Sequence, residues 1–186
     1  MKFISRTYRE MMQEMLAEGW GKSAYKRAEQ IASIASFLRV ESILDYGCGQ
    51  GTLLQQLGKI KWEGLNRIAF HEYDPCVISK NLFPVPSDLV LCLDVLEHVE
   101  EEFVDRVILH LWALAKKFLL ITVSLCEADA VLPDGRNAHL VVQPKDWWDE
   151  KMRQLLKGRR IILDVSMADR HKPEWSFLAV KDDWKW

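Results

Sequence analysis

The stretch Ile43-Leu-Asp-Tyr-Gly-Cys-Gly-Gln-Gly51 decides the fold of this 186-residue chain. It begins as a short apolar strand, reaches an acid at Asp45, and then places glycines at alternate positions, Gly47, Gly49 and Gly51. A helical pattern follows at once. Glycines at this spacing allow a tight turn and let a ligand approach main-chain N–H groups, so the stretch predicts a strand, a ligand-binding loop and a helix.

The chemistry of this loop narrows the class of ligand. No Lys-Ser/Thr pair closes the loop, which argues against a phosphate-binding P-loop. Asp45 would repel a diphosphate, whereas it would suit a ligand that carries an ammonium group. An ordinary strand–turn–helix corner is the alternative interpretation of the same residues.

A second acid follows the next predicted strand, in the segment Phe70-His-Glu-Tyr-Asp74-Pro75. Asp74 comes roughly 20 residues after the glycine loop, where nucleotide-binding α/β folds place an acid that accepts hydrogen bonds from ribose hydroxyls. Glu72 lies on the same side of the strand and is a reserve candidate for this role. Asp-Pro is also a common opening of a turn.

The third informative segment is Asp88-Leu-Val-Leu-Cys-Leu-Asp94-Val-Leu-Glu-His98. Its nearly continuous apolar run is typical of a strand that is buried on both faces of a parallel sheet. The run ends at Asp94, and His98 follows shortly after. His98 could act as a base or contact a substrate, and it could equally cap the next helix.

Together, these three segments resemble the cofactor motifs of class I S-adenosylmethionine-dependent methyltransferases. The resemblance implies an α/β fold with three layers, a doubly wound, mostly parallel Rossmann-like sheet and an antiparallel edge strand. It also implies that S-adenosyl-L-methionine is the cofactor, with its methionine end at the glycine loop, its ribose at Asp74 and its adenine beside 94–96. Trp20 resembles residues that lie over the cofactor mouth in this superfamily. The predicted cofactor-binding residues are Asp45, Gly47, Cys48, Gly49, Gln50, Gly51, Asp74, Asp94, Val95, Leu96 and Trp20.

The interval 75–87 departs from the family pattern, because family members fit a helix, a third strand and an adenine-binding acid there. A parallel crossover needs at least about 10–12 residues, and Pro84 and Pro86 disfavour a regular helix or a central strand. We therefore expect the third strand to be missing or vestigial. The adenine-binding acid of the family has no clear counterpart in this chain.

The loop after the predicted strand 117–125 is the expected acceptor site, because open α/β sheets react at the carboxyl ends of their strands. His139 could take a proton from a substrate hydroxyl, or it could serve a structural role. Arg136 could bind a phosphate or carboxylate through two parallel hydrogen bonds. Asp-Gly with Arg and Asn is also ordinary turn chemistry. The candidate catalytic residues are His139, His98 and Asp134, and the candidate substrate-binding residues are Arg136, Asn137 and Trp147.

Composition excludes several classes of function. The chain is 49% hydrophobic and 28% charged, as ordinary soluble proteins are. Its net charge of −2 gives no electrostatic footprint for nucleic acid or for an anionic membrane. No apolar run is long enough to cross a bilayer, and no leader segment opens the chain. Four cysteines without a C-x-x-C pair indicate reduced thiols in a cytoplasmic protein, and no metal-ligand spacing is visible.

The length favours a single domain, 1–186, because two sizeable cores would need a longer chain. We expect N-terminal helices in 1–40 over the cofactor site, a cofactor-binding core in 41–125, and the acceptor loop with edge strands in 126–186. Tryptophans are frequent near the C-terminus; we favour a packing role for Trp147 and Trp175 over a stacking platform. The predicted helices are 5–18, 22–38, 50–59, 100–116 and 144–157, and the predicted strands are 43–46, 67–73, 88–93, 117–125, 160–167 and 175–181.

The functional hypothesis from sequence is a cytoplasmic enzyme that transfers a methyl group to a small-molecule acceptor, at oxygen. One alternative is a nucleic-acid methyltransferase. The net charge argues against it, and Asp94-Val-Leu-Glu replaces the Asp/Asn/Ser-Pro-Pro-aromatic motif of enzymes that methylate base nitrogens. The other alternative is a protein that binds or degrades S-adenosylmethionine without methyl transfer, or a subunit of a larger assembly. A second copy of the chain could complete the acceptor pocket as a homo-oligomer.

Overall fold

A computed structural model describes residues 2–157, 160–163 and 174–181. Within these described residues, the sheet contains six strands. The strands are β1 (Ser42–Tyr46), β2 (Ala69–Tyr73), β3 (Ser87–Leu93), β4 (Ala115–Ser124), β5 (Arg160–Leu163) and β6 (Glu174–Val180), and the helices are α1 (Arg6–Ala17), α2 (Ala28–Leu38), α3 (Thr52–Lys59), α4 (Glu101–Leu114) and α5 (Lys145–Leu155).

The strands are arranged in the order β2-β1-β3-β4-β6-β5. The first four strands pair in parallel, whereas β6 is antiparallel to both of its neighbours. The predicted mostly parallel sheet with an antiparallel edge is thus confirmed; within this edge, β6 lies between β4 and β5, and β5 is outermost. The remainder of the predicted strand 160–167 and the turn after it lie outside the described residues.

The opposite edge of the sheet ends at β2. Between β2 and β3 the chain forms a single 3₁₀ turn, Ile78–Lys80, and none of the described residues forms a strand beyond β2. Pro84 and Pro86 follow this turn, where a proline cannot donate a ladder hydrogen bond. The third strand expected from the family is therefore missing, as the short interval predicted.

The N-terminal helices form as predicted, with one interruption. Ser5 caps α1 by accepting a hydrogen bond from the Tyr8 N–H at 3.0 Å. The predicted second helix is divided into a 3₁₀ turn, Ser23–Arg27, and α2. Gly19 and Gly21 have φ values of 100° and 76°, which only glycine adopts without strain, so they separate α1 from that turn.

Helices cover both faces of the sheet, which gives the three predicted layers. Side chains of α2 and α3 pack with one face, and those of α4 and α5 pack with the other. The central strand β3 is buried along its whole length, because it has layers on both sides. Because β1 to β4 run parallel to one another, their carboxyl ends lie together at one edge of the sheet.

The tryptophans of α5 and β6 serve packing. Trp148 and Trp175 are fully buried, and their ring centroids stack 6.1 Å apart. The Trp175 indole N–H donates to Asp149 Oδ1 at 2.7 Å. Trp147 packs edge-on against Trp148, and the Lys151 ammonium lies over its ring. The packing interpretation is confirmed, and Trp147 is not among the residues that line the cavity at the strand ends, so no contact supports its predicted substrate role.

All four cysteines are free thiols, and three of them are buried. This agrees with the expectation of unpaired cysteines. Among the residues that the structure describes, no helix has both the length and the apolar character that a membrane span requires.

Candidate functional site

A cavity of about 970 Å³ opens at the carboxyl ends of β1 to β4, and α1 forms its roof. The side chains of Tyr8, Met12 and Leu16 line it from α1. The predicted residues that line this cavity are Trp20, Gly47, Cys48, Gly49, Asp74, Asp94, Val95, His98 and His139.

The glycine loop packs too closely for any side chain at two positions. A Cβ added at Gly47 would lie 2.5 Å from Val95 Cγ2, and one at Gly49 would lie 2.6 Å from the carbonyl oxygen of Gly21. Both glycines also have positive φ values, 79° and 50°. The glycine loop therefore packs closely between the segment after α1 and the residues that follow β3.

The N–H groups of residues 47–50 all donate within the chain. The first two donate to the carbonyl oxygen of Tyr73 at 2.7 and 3.2 Å. The third donates to Asp74 Oδ2 at 2.9 Å, and the fourth donates to the carbonyl oxygen of Gly21 at 3.2 Å. The expectation that a ligand meets free N–H groups in this loop is thus corrected.

Gln50 and Gly51 shape the loop and do not line the cavity. The Gln50 side-chain amide donates to the carbonyl oxygens of Leu16 and Trp20, each at 2.9 Å. It therefore ties the end of α1 to the loop. Gly51 begins α3 with a φ of 74°, and a Cβ there would lie 2.2 Å from Lys80 Nζ.

Asp45 lies behind the glycine loop, outside the cavity lining, so the predicted direct contact with a ligand ammonium group is not supported. Its side chain is almost fully buried, and Oδ2 has no hydrogen-bond partner. Burial, and then the charge of Glu72, raise the pKa of Asp45 to about 7, while Lys80 opposes the shift. Asp45 is therefore a buried acid behind the glycine loop, and one of its oxygens lacks a hydrogen-bond partner.

Asp74 is built into the same wall and lines the cavity. Its Oδ1 accepts from the Cys76 N–H at 2.8 Å, and its Oδ2 accepts from the Gly49 N–H. Burial raises the pKa of Asp74, and these backbone donors oppose that shift. Each carboxylate oxygen retains a further lone pair for a donor in the cavity.

Asp94 is held by a buried arginine that sequence analysis did not identify. Arg27 Nη2 donates to both oxygens of Asp94, at 3.2 and 3.1 Å, and to Glu174 Oε2 at 2.5 Å. The Thr122 hydroxyl donates to Asp94 Oδ1 at 2.8 Å. The partners of Arg27 are 67 and 147 residues away in sequence, so no local pattern marks it. Leu96, predicted beside the adenine, is instead fully buried in the core.

His98 and His139 meet at the cavity wall, with ring centroids 4.7 Å apart. His98 Nδ1 donates to the carbonyl oxygen of Ala138 at 2.7 Å, and His139 Nδ1 donates to that of Cys126 at 2.5 Å. A carbonyl oxygen can only accept, so in each neutral ring Nε2 carries the lone pair. Burial lowers the pKa of His98 to about 4, which keeps this ring neutral at neutral pH.

Glu97 joins this pair, although sequence analysis did not assign it to the site. Its side chain is fully buried; Oε1 accepts from the Ser124 N–H at 2.9 Å, and Oε2 has no hydrogen-bond partner. Burial, and then the charge of Asp94, raise the pKa of Glu97 well above its usual range. The sequence signal that could have identified Glu97 is its position next to His98, shortly after the buried strand β3.

The acceptor loop does not gather the predicted cluster around His139. Asp134 and Arg136 form an exposed ion pair at 2.8 Å, outside the cavity lining. The Asn137 side chain bridges the backbone N–H and carbonyl of Ala128, and its oxygen accepts from the His139 N–H at 2.8 Å. Asn137 thus positions His139, and the turn chemistry considered in sequence analysis explains Asp134 and Arg136.

The chain has the fold of class I S-adenosylmethionine-dependent methyltransferases over most of its length. It is similar to an O-methyltransferase family protein from Burkholderia thailandensis, with a TM-score of 0.58 and 16% identity over 91% of this chain and 59% of that chain. It thus spans about three fifths of that protein's length.

Two further solved structures show the same likeness. One is the Burkholderia thailandensis 1,6-didemethyltoxoflavin-N1-methyltransferase with bound 1,6-didemethyltoxoflavin and S-adenosylhomocysteine, with a TM-score of 0.58 and 14% identity over 95% of this chain and 90% of that chain. The other is magnesium protoporphyrin IX methyltransferase from Synechocystis PCC 6803 with S-adenosylhomocysteine, with a TM-score of 0.52 and 17% identity over 84% and 83%. No family model and no curated protein matches the chain.

The buried acid behind the loop gives a testable pH dependence. The folded-state pKa of Asp45 is raised to about 7, whereas the unfolded value is about 3.9. Between these values unfolding releases a proton, so the contribution of Asp45 to the free energy of unfolding falls as the pH rises from 4 to 7. Relative to Asp45→Asn, the wild type should lose about 2–4 kcal/mol across this window, measured by urea unfolding at each pH. A difference between the two proteins that stays constant with pH would contradict the prediction.

Proposed function

We propose that the chain is a methyltransferase that uses S-adenosylmethionine and methylates a small molecule, at an oxygen atom. One observation carries the proposal: the cavity lies between the glycine loop, Asp74 and the end of β3, in the fold that methyltransferases share. In open α/β sheets, ligands bind at this carboxyl edge.

The residues of the cavity fit the cofactor chemically. The N–H groups of residues 47–50 already donate within the chain. The loop therefore offers few donors to the cavity, which suits a ligand ammonium group, because that group needs acceptors. Asp74 offers carboxylate lone pairs to ribose hydroxyls. The ends of β3 and α1 supply Val95 and Leu16 as apolar surface for a purine ring. When bound, S-adenosylmethionine supplies a methyl group that is already activated by its sulfonium charge.

The other end of the cavity is suited to an acceptor hydroxyl. His98 and His139 each present an unprotonated Nε2 when neutral, which can accept a hydrogen bond from that hydroxyl. Methyl transfer depends mainly on orientation, because near-attack alignment accounts for a large part of such barriers. The chain therefore contributes by holding the oxygen in place, with Tyr8 and Met12 closing the cavity against water.

The roof formed by α1 favours a small acceptor over a nucleic acid. The cavity lies beneath apolar side chains of this helix, and the net charge of −2 provides no attraction for a polyanion. The alternative to an enzyme that transfers methyl groups is a protein that binds or degrades S-adenosylmethionine without methyl transfer. Acceptor-independent breakdown of S-adenosylmethionine would distinguish it.

A matched pair of acids tests the ribose assignment. Asp74→Asn should weaken the binding of S-adenosylmethionine and S-adenosylhomocysteine by about 1–3 kcal/mol, because a buried hydrogen-bond acceptor is lost. Glu72→Gln should leave both affinities unchanged, since Glu72 lies outside the cavity and pairs with Lys80 at 3.1 Å. Isothermal titration calorimetry measures both, and the reverse pattern would transfer the ribose role to Glu72.

Transfer of labelled methyl groups tests the activity itself. The wild type is incubated with methyl-labelled S-adenosylmethionine and with panels of hydroxylated small molecules, amines, RNA and DNA. We expect label on a small hydroxylated acceptor, and we expect His139→Ala to lower kcat more than it lowers cofactor affinity. Label found only on nucleic acid, or release of label without any acceptor, would contradict the proposal.

A further inference from the structure

Three side chains at the polar end of the cavity converge on one point. Glu97, His98 and His139 each offer one atom that can bind a metal ion, and these atoms all lie within 4.8 Å of one another. All three residues line the cavity. We propose that these three side chains form a binding site for one divalent cation of the first transition series.

The hydrogen bonds around the imidazoles support this assignment. Each Nδ1 donates to a backbone carbonyl, that of Ala138 for His98 and that of Cys126 for His139. Histidines that bind metal ions almost always donate their other ring N–H in this way, which fixes the tautomer and the direction of the ring. Each Nε2 is thereby left with a lone pair, and one ring nitrogen of each histidine lies within 4.8 Å of the other and of a Glu97 carboxylate oxygen.

When a cation displaces its proton, the carboxylate of Glu97 supplies the charge that two neutral imidazoles lack. Glu97 is fully buried, with Oε1 held by the Ser124 N–H and Oε2 without a hydrogen-bond partner. An unmatched buried carboxylate oxygen is costly, and a cation would remove that cost. One oxygen of this carboxylate lies within 4.8 Å of a ring nitrogen of each histidine.

The backbone holds the three ligands together before any ion binds. The carbonyl oxygen of Glu97 accepts from the N–H groups of Leu140 at 2.7 Å and Val141 at 3.0 Å. This joins the segment that carries His139 to the segment that carries Glu97 and His98. These backbone contacts already hold the two ligand-bearing segments together, so little rearrangement is needed when an ion binds.

The donor set selects the class of cation. Two imidazole nitrogens and one carboxylate suit Mn²⁺, Fe²⁺, Co²⁺ or Zn²⁺, whereas Mg²⁺ and Ca²⁺ prefer oxygen ligands throughout. Three protein ligands leave coordination positions open, as metal sites that bind substrates do. Because the ligands line the cavity, an open position would face an oxygen donor of the acceptor; this last step rests on the proposed function. With the cation bound, the acceptor oxygen would contact the cation in place of the hydrogen bond to Nε2 that is available without it.

Titration with Co²⁺ alone tests the site. Co²⁺ is added to the full chain without cofactor or acceptor, and its visible ligand-field bands report nitrogen coordination. We expect saturation at one Co²⁺ per chain. His139→Ala and Glu97→Gln should each weaken binding by at least about tenfold. His71→Ala is the matched control, since His71 lies on β2 outside the cavity, and it should bind like the wild type.

A second measurement uses only the wild type, in case a variant of a buried ligand fails to fold. The chain contains five histidines, and Zn²⁺ should shift the ring ¹⁵N signals of two of them, His98 and His139. No saturable Co²⁺ band, or binding that survives in both ligand variants, or Zn²⁺ shifts confined to other histidines, would overturn the assignment. S-adenosylmethionine binding is measured separately without metal, so failure of the cation site and failure of the proposed function give different results.

Discussion

The close contact between Gly49 and Gly21 determines the geometry of the whole cavity. The segment after α1 lies so near the glycine loop that a Cβ at Gly49 would touch the Gly21 carbonyl oxygen. That same oxygen accepts the N–H of Gln50, whose side chain in turn holds the end of α1. Backbone contacts of this kind cannot be replaced by side-chain packing. They fix the roof of the cavity onto the sheet, and every proposed ligand contact depends on that position.

The same loop is also joined to the second strand. Asp74 accepts the Gly49 N–H, and the Tyr73 carbonyl oxygen accepts two further N–H groups of the loop. The acid proposed to bind ribose therefore also sets the shape of the loop beside it. The missing third strand leaves β2 as the edge, yet most of the residues that line the cavity follow the ends of β1 to β4 or lie on α1, in the segment 19–30 and at Glu174. This explains how a shortened sheet retains a complete cavity.

Sequence predicted the features that depend on neighbouring residues. The glycine loop, the buried strand β3 and the proline-rich interval all have local signals, so their structure follows from spacing and residue type. The buried partners Arg27 and Glu174 come from distant segments, and no periodicity reveals such a pair. The acceptor loop shows the same limit: composition pointed to Arg136, whereas the fold turned it outward and brought His139 against His98. A metal site was not expected, because its ligands come from two separate strand ends.

Hydrogen exchange with and without S-adenosylhomocysteine tests the central claim most directly, because it locates a bound cofactor on the chain. The account predicts slower amide exchange in α1, in residues 18–24, in the glycine loop and at the end of β3, with little change in α5. Binding that leaves these segments unchanged, or that protects a different surface, would show that the cavity beneath α1 is not the cofactor site.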